Sequence, residues 1–480
     1  MPTTNGNRKI LDLKRWEFVT PAPAATAAAT FVVSSRHYRQ QQLYVVSNTV
    51  AYLYNPQEDG WAQVPSPALA GTFGAGASGV AGSFSTGTTV GASFLTATAG
   101  TTTSITTNQT IARDLRGYSV YFVGGTNAGK LKTIASNTIG ANAVITFEGA
   151  AEATAFDNTS QYRLKTPVWY VVGAGTLAAS SFRKYDFATN TWTTLTITGL
   201  AASLGTDGRM ISTPAWVDGG FQSFATGTAT AGGASTLTNS AKSWTTNQWT
   251  NYQLRITGGT GAGQIRTVAS NTATVITVSA AWTTTPDATS TYSLEGNDDF
   301  IYYLGNNAVT LYRYSIYSNT WSTLSPTAAR AAAPSTGASG HWIWGSNDSA
   351  WTAENSIING RRIYSFRGGA GTILDYYDIA LNTWVSGVTY APATETFTTG
   401  TKYAYSGNFI YMQKEATGRW FRYNVVTSEQ DGWNTMTYTQ GAAVLGDTAF
   451  DVVYRDGATE ITYIYMILNT STVMLRQMVV

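Results

Sequence analysis

A few groupings in the sequence have residue types suited to chemistry, and each must meet a definite requirement. Residues 124–131, GGTNAGKL, carry the G-x-x-x-x-G-K spacing of a phosphate-cradling loop. Such a loop runs from a strand into a helix and needs Ser or Thr after the lysine to hold magnesium. Leu131 stands there instead, the following residues read as a strand, and the sister segment GGTGAGQI at 258–265 has Gln264 in place of Lys130. Both segments read as β-hairpin turns. The paired carboxylates Asp298 and Asp299 are calcium-like, but no D-x-D-x-D-G loop surrounds them, and they read as solvated turn residues. His37 sits between Arg36 and Tyr38 and reads as a surface or inter-blade residue; His341, among aromatic residues, reads as packed. Two histidines and no cysteine cannot by themselves complete a zinc or non-haem iron site, and no thiolate nucleophile or disulfide framework exists. No catalytic, cofactor or metal site is expected, so the chain reads as non-enzymatic.

Composition narrows the class. Of 480 residues, 12% are charged, about half the ~25% usual for soluble domains. The hydrophobic fraction is 43%, enough for a buried core, so disorder through charge excess is excluded. A net charge of +2 gives no global attraction to nucleic acid or anionic membrane. The surface must be built from Thr, Ser, Asn, Gln and Gly, as in many proteins that persist outside cells. Yet MPTTNGNRKILDLKRWEF has no apolar core and is not expected to act as a signal peptide. No run of about 20 apolar residues is present, so no membrane span is expected.

The elements that must position any site are strands. Segments such as 42–47 (QLYVVS), 168–175 (VWYVVGAG), 300–307 (FIYYLGNN) and 408–414 (NFIYMQK) are short, aromatic and β-branched, and flanked by Gly or Asn. Each leads into a recurring hairpin in which a turn is followed by tryptophan: YLYNPQEDGW, RKYDFATNTW, YRYSIYSNTW, DYYDIALNTW and, with three extra residues, FRYNVVTSEQDGW. These end at Trp61, Trp192, Trp321, Trp384 and Trp433. A sixth anchor, Trp16 in LKRWEFVTP, is placed to end a blade whose other strands come from the C-terminal stretch. Residues 115–138 recur at 249–272, and each copy lies in an insertion that separates Trp61 from Trp192 and Trp192 from Trp321. Repeats of about 40–50 residues indicate a propeller. All-β architecture follows, with six blades anchored by those tryptophans and closed by the N-terminal strand, and Trp192 is expected to be largely buried. Residues 1–85 would supply the closing strand and first blade, 86–164 an inserted β module, 165–225 more propeller, 226–294 a second module, and 295–480 the remaining blades.

The hairpin resembles the kelch repeat, which Tyr185, Asp186, Thr189, Asn190 and Trp192 match most fully. Kelch propellers serve many functions, so the likeness implies the fold and little more. Copper-radical oxidases of that fold need a cysteine crosslink, which this chain cannot form. Sialidases need an arginine triad; Arg330, Arg361, Arg362 and Arg367 are candidates, but the Ser-x-Asp start of the sialidase turn is missing from QEDGW and EQDGW. The insertions resemble a small β module of tailed-bacteriophage structural proteins. What that resemblance implies is a virion protein made in the bacterial cytoplasm, similar to a short-tailed phage tail nozzle or hub in the DNA-ejection conduit. Its partners would be itself in a homo-hexamer, adaptor and fibre proteins of the tail, and passing double-stranded DNA bound without sequence specificity. Alternatives are a receptor- or glycan-binding virion propeller and a cellular kelch-type interaction module. The turns containing Gly125, Asn127, Gly129, Gly259, Gly261 and Gly263 are the candidate contacts to those partners.

Overall fold

The computed structural model describes residues 15–26, 31–33, 41–47, 50–65, 76–82, 84–85, 94–205, 208–213, 216–217, 220–221, 223–305, 308–335, 341–342, 362–369, 372–389, 396–398, 400–415, 417–436, 438, 448–456 and 459–479. Those residues form strands and turns, with no helix among them. Six four-stranded antiparallel sheets make a six-bladed β-propeller. Blade 1 is Phe31–Val33, Gln42–Ser47, Val50–Asn55 and Gly60–Val64; blade 2 is Ser78–Gly82, Val168–Val172, Phe182–Asp186 and Thr191–Thr194. Blade 3 is Arg209–Ser212, Phe300–Leu304, Leu311–Ser315 and Thr320–Thr323; blade 4 is His341–Trp342, Arg362–Phe366, Ile373–Asp378 and Thr383–Thr389. Blade 5 is Lys402–Ser406, Phe409–Gln413, Arg419–Asn424 and Glu429–Thr435. Blade 6 is Ala449–Asp456, Thr459–Ile467 and Met474–Met478, and its outer strand is Glu17–Phe18.

Burial explains the apolar runs. A strand sandwiched between two neighbouring blades has no wet face, so it reads as a continuous hydrophobic segment rather than an alternating one. Val168–Val172 is buried at every position, whereas the outer strand Thr191–Thr194 is half-buried or exposed throughout. Closure joins the two ends of the chain: Glu17 pairs with Arg476 and Phe18 with Leu475, and the Val19 and Ala22 amides donate to Met474 and Thr472 at 3.2 and 2.8 Å. Trp16 packs beside this strand on Trp420 and Trp433, with ring centroids 5.2 and 6.3 Å away.

The repeated hairpin has a common local cause. In four blades a tyrosine faces the tryptophan across the hairpin: Tyr54 with Trp61, Tyr185 with Trp192, Tyr314 with Trp321 and Tyr377 with Trp384. The same tyrosine hydroxyl donates to the side chain five residues on, at 2.6–2.7 Å: Asp59, Asn190, Asn319 and Asn382. Those acceptors have φ of 47–54°, the left-handed region that Asn and Asp tolerate better than other side chains. One residue thus makes the turn and caps the hairpin. In blade 5 the longer turn shifts the pattern: Tyr423 faces buried Gln430, and Trp433 instead meets Tyr411 at 4.6 Å.

All six tryptophans lie on or beside the outer strands, but they are not equally buried. Trp16, Trp321 and Trp384 are buried, while Trp61, Trp192 and Trp433 are half-buried. The expectation of a largely buried Trp192 is therefore corrected. Its indole N–H reaches the Pro65 carbonyl at 2.9 Å near the surface, and its ring is only partly buried where it packs on the core.

The two insertions enter blades 2 and 3 at the same place, between the first and second strands. The first has seven strands, Leu95–Thr96, Ala99–Gly100, Ser104–Thr106, Ser119–Gly124, Leu131–Asn137, Val144–Phe147 and Gln161–Lys165. The second repeats the order with Ser223–Thr228, Ala231–Gly233, Thr236–Thr238, Gln253–Gly258, Ile265–Asn271, Val275–Val278 and Thr291–Glu295. In each, one bent opening segment supplies both outermost strands of the sheet, which wraps around its own apolar core.

Candidate functional site

The turns singled out in the sequence are brought together by the fold. Gly129 packs against Ala262, and a Cβ on Gly263 would lie 2.7 Å from the Gly129 nitrogen and 3.1 Å from the Ala128 Cβ. The contact is reciprocal, each module presenting the same turn to the other. Asn127 and Gly261 occupy equivalent positions with φ of 63° and 81°, so the Asn-to-Gly exchange between copies preserves a left-handed backbone. At Gly125 and Gly259 any Cβ would overlap the carbonyl oxygens of Thr159 and Thr289. Gly129 and Gly263 are therefore in contact with each other within the chain. Gly125, Asn127, Gly259, Gly261 and Gly263 line one cleft of about 820 Å³ between the modules, and Gly129 lies beside it against Gly263.

Beneath the cleft lies a buried charge cluster that ties both modules to blade 3. Arg163 of the first module meets Asp298 at 2.9 Å, and Lys165 lies 3.8 Å from the same carboxylate. Gln253 and Tyr317 donate to the other oxygen of Asp298 at 2.6 and 2.5 Å. The Arg163 guanidinium lies over the rings of Phe84 and Tyr317, 4.6 and 4.8 Å from their centroids. In the second module Arg255 donates its Nε to Glu295 at 2.7 Å and sits over Tyr121 of the first module, 5.3 Å from the centroid. Asp299 accepts from the Ser315 hydroxyl at 2.9 Å and the Tyr317 amide at 2.7 Å.

Burial and charge act against each other here. Burial pulls the Lys165 ammonium down to about 7, only partly opposed by Asp298. Burial raises the Glu295 carboxyl against the pull of Arg255, and raises Asp299 to about 6. For Asp298 burial also acts upward, but Arg163, Lys165 and the two donors outweigh it and hold the carboxyl below its usual range. The reading of Asp298 and Asp299 as solvated turn residues is corrected: both are buried and fully engaged.

The other candidates have structural tasks. Lys130 pairs with Glu152, which Lys132 also reaches at 2.8 Å, so the phosphate-loop lysine is bound within its own module. Arg330 and Arg367 both grip Asp375, at 2.6 and 2.9 Å, and Arg362 covers the Tyr376 ring at 4.0 Å. Arg361 and His37 lie outside the described residues. The backbone of His341 pairs with Tyr364 on the leading strand of blade 4. Among the described residues, no three His, Asp or Glu side chains converge as a metal site, and no helix is long and apolar enough to cross a membrane.

These observations define an all-β six-bladed propeller whose second and third blades carry two paired β modules. No family model and no curated protein matches the chain. Among solved structures, a chain from the crystal structure of a mitotic checkpoint complex aligns with 96% of this chain and 94% of its own length, at 9% identity and a TM-score of 0.34.

Proposed function

We propose that this chain is a non-enzymatic structural protein of a tailed-bacteriophage virion, a nozzle or hub component of the DNA-ejection conduit, assembled as a homo-hexamer in the host cytoplasm. The observation that supports the reading is the pairing of the two phage-like modules. They are joined by reciprocal glycine turns and a buried ion cluster, so each subunit offers one stiff double projection rather than two independent ones. Such a projection suits permanent contact with a neighbouring subunit, an adaptor or a fibre. A net charge of +2 suits a conduit, because a strongly basic lumen would retain DNA through many phosphate contacts. Localising the protein in imaged particles and counting its copies tests the proposal. Six copies around the tail axis are expected; a place on the capsid surface or at the tip of a trimeric fibre would refute the nozzle assignment. Turnover in a glycosidase panel, lost on changing a propeller arginine, would refute the non-enzymatic reading.

A further inference from the structure

We propose that the cleft between the two modules binds a neutral oligosaccharide segment. The cleft's volume of about 820 Å³ is in the ~300–1,000 Å³ range of small-ligand pockets. The reciprocal turn contact fixes the spacing of its walls. Among the described residues that line it, none is acidic.

Which groups are left to meet a ligand decides its class. Arg163 is engaged inside the protein by Asp298 at 2.9 Å, and Arg266 gives three of its five N–H groups to the carbonyls of Ala281 and Ile265 and the hydroxyl of Thr283 at 2.9–3.2 Å. The Gln264 amide is likewise engaged, donating to Gly261 and Thr284 and accepting from the Thr283 and Thr284 amides. Among the described lining residues, four uncharged groups retain capacity, the first being the Thr283 hydroxyl, which accepts from Arg266 and keeps its O–H. Asn127 uses one N–H on the Thr154 carbonyl at 2.9 Å, leaving its oxygen and second N–H. The Gln161 side-chain amide and the Thr284 hydroxyl make no hydrogen bond among the described residues. Amides and hydroxyls both donate and accept, as sugar hydroxyls do, so they match a polyol better than a group of one sign. Phe94, 37% exposed at the cleft wall, offers a flat apolar face for the C–H side of a sugar ring. A peptide adding as a strand is disfavoured. The strand of Gln161 is already paired on both sides, with Leu95–Thr96 and Ser119–Gly124, and that of Ile265 is paired with Gln253–Gly258 and Val275–Val278.

This inference stands whether or not the chain belongs to a virion, and its test is separate. The full chain is applied to an array of neutral, acidic and sulfated glycans, and a retained neutral glycan is titrated by calorimetry against Phe94→Ala, Gln161→Ala and Thr284→Trp. The last variant fills the cleft from an exposed position and leaves both module cores untouched. Each variant is expected to weaken binding about tenfold or more, with the melting temperature of Thr284→Trp unchanged. Retention of no neutral glycan, retention of acidic glycans alone, or binding that survives Thr284→Trp would overturn the assignment.

Discussion

Replacing Arg163 with methionine removes the guanidinium that joins the first module to Asp298 while keeping much of its volume. Both partners are almost inaccessible, with side-chain exposures of 4% and 1%, and their contact is 2.9 Å. Removing one member of a buried pair ordinarily costs about 3–5 kcal/mol, because the other charge stays buried without compensation. Here Asp298 keeps Lys165 at 3.8 Å and bonds from Gln253 and Tyr317. The loss should therefore fall near the lower end, about 2–4 kcal/mol. Two ring contacts of the guanidinium, to Phe84 and Tyr317, add to the loss, whereas methionine's apolar packing offsets part of it. The assay is equilibrium urea unfolding of Arg163→Met, Asp298→Asn and the double variant, followed by tryptophan fluorescence. If the stranded charge is the cause, the double variant recovers stability relative to Arg163→Met alone. A loss below about 1 kcal/mol, or a double variant no better than Arg163→Met, would show that the pair does not hold the modules and would refute the reasoning.

Asn190→Ala removes the acceptor for Tyr185 and puts a Cβ residue without a polar side chain at φ 54°, so it should cost about 1–3 kcal/mol by thermal unfolding. Asn190→Gly should recover the part due to backbone strain. Trp384→Ala, at a buried anchor, should cost about 3–5 kcal/mol, and half-buried Trp192→Ala clearly less; equal losses would show that burial does not rank the anchors. Lys165 titrates near 7 when folded against 10.5 when exposed, so between about pH 7 and 10 the unfolded chain binds the extra proton and stability rises with pH. Lys165→Met should flatten that rise in a melting-temperature profile; an unchanged slope would refute the assignment. Removing residues 1–26 takes away the outer strand of blade 6, and should lower the melting temperature and promote aggregation through the bared edge.

The blade hairpins were legible because their determinants are local. A tyrosine, a turn residue five positions on and a tryptophan opposite the tyrosine carry their own geometry wherever they stand. Trp16 revealed the closing strand differently, by the likeness of its surroundings to the end of a blade, since its partner strand lies at the far end of the sequence. The relative burial of the anchors was not legible, since it depends on how neighbouring blades cover each outer strand. The charge cluster was hidden more thoroughly. Phe84, Arg163, Arg255, Asp298 and Tyr317 come from both modules, from the segments that join modules to blades and from a hairpin turn of blade 3, and only the placement of one module beside the other joins them. Adjacent carboxylates are seldom fully buried, so Asp298 and Asp299 suggested a wet turn. Their alternative depended on Arg163, which is 135 positions away from Asp298.

Closure by residues 459 positions apart, Glu17 and Arg476, has a consequence for the timing of synthesis. At ribosomal rates of about 5–20 residues per second, the first strand waits roughly half a minute to a minute and a half for its partner to emerge. Throughout that interval the growing ring has open ends, and Glu17–Phe18 is free to join the C-terminal strands of whichever copy finishes first. On a polysome, where several chains emerge side by side, closure within one chain competes with donation of the strand to a neighbour, which would give an exchanged pair of rings. Stalling translation just before and just after residues 474–478 leave the ribosome should expose the difference: protease resistance of blade 6 should appear only after release of that strand.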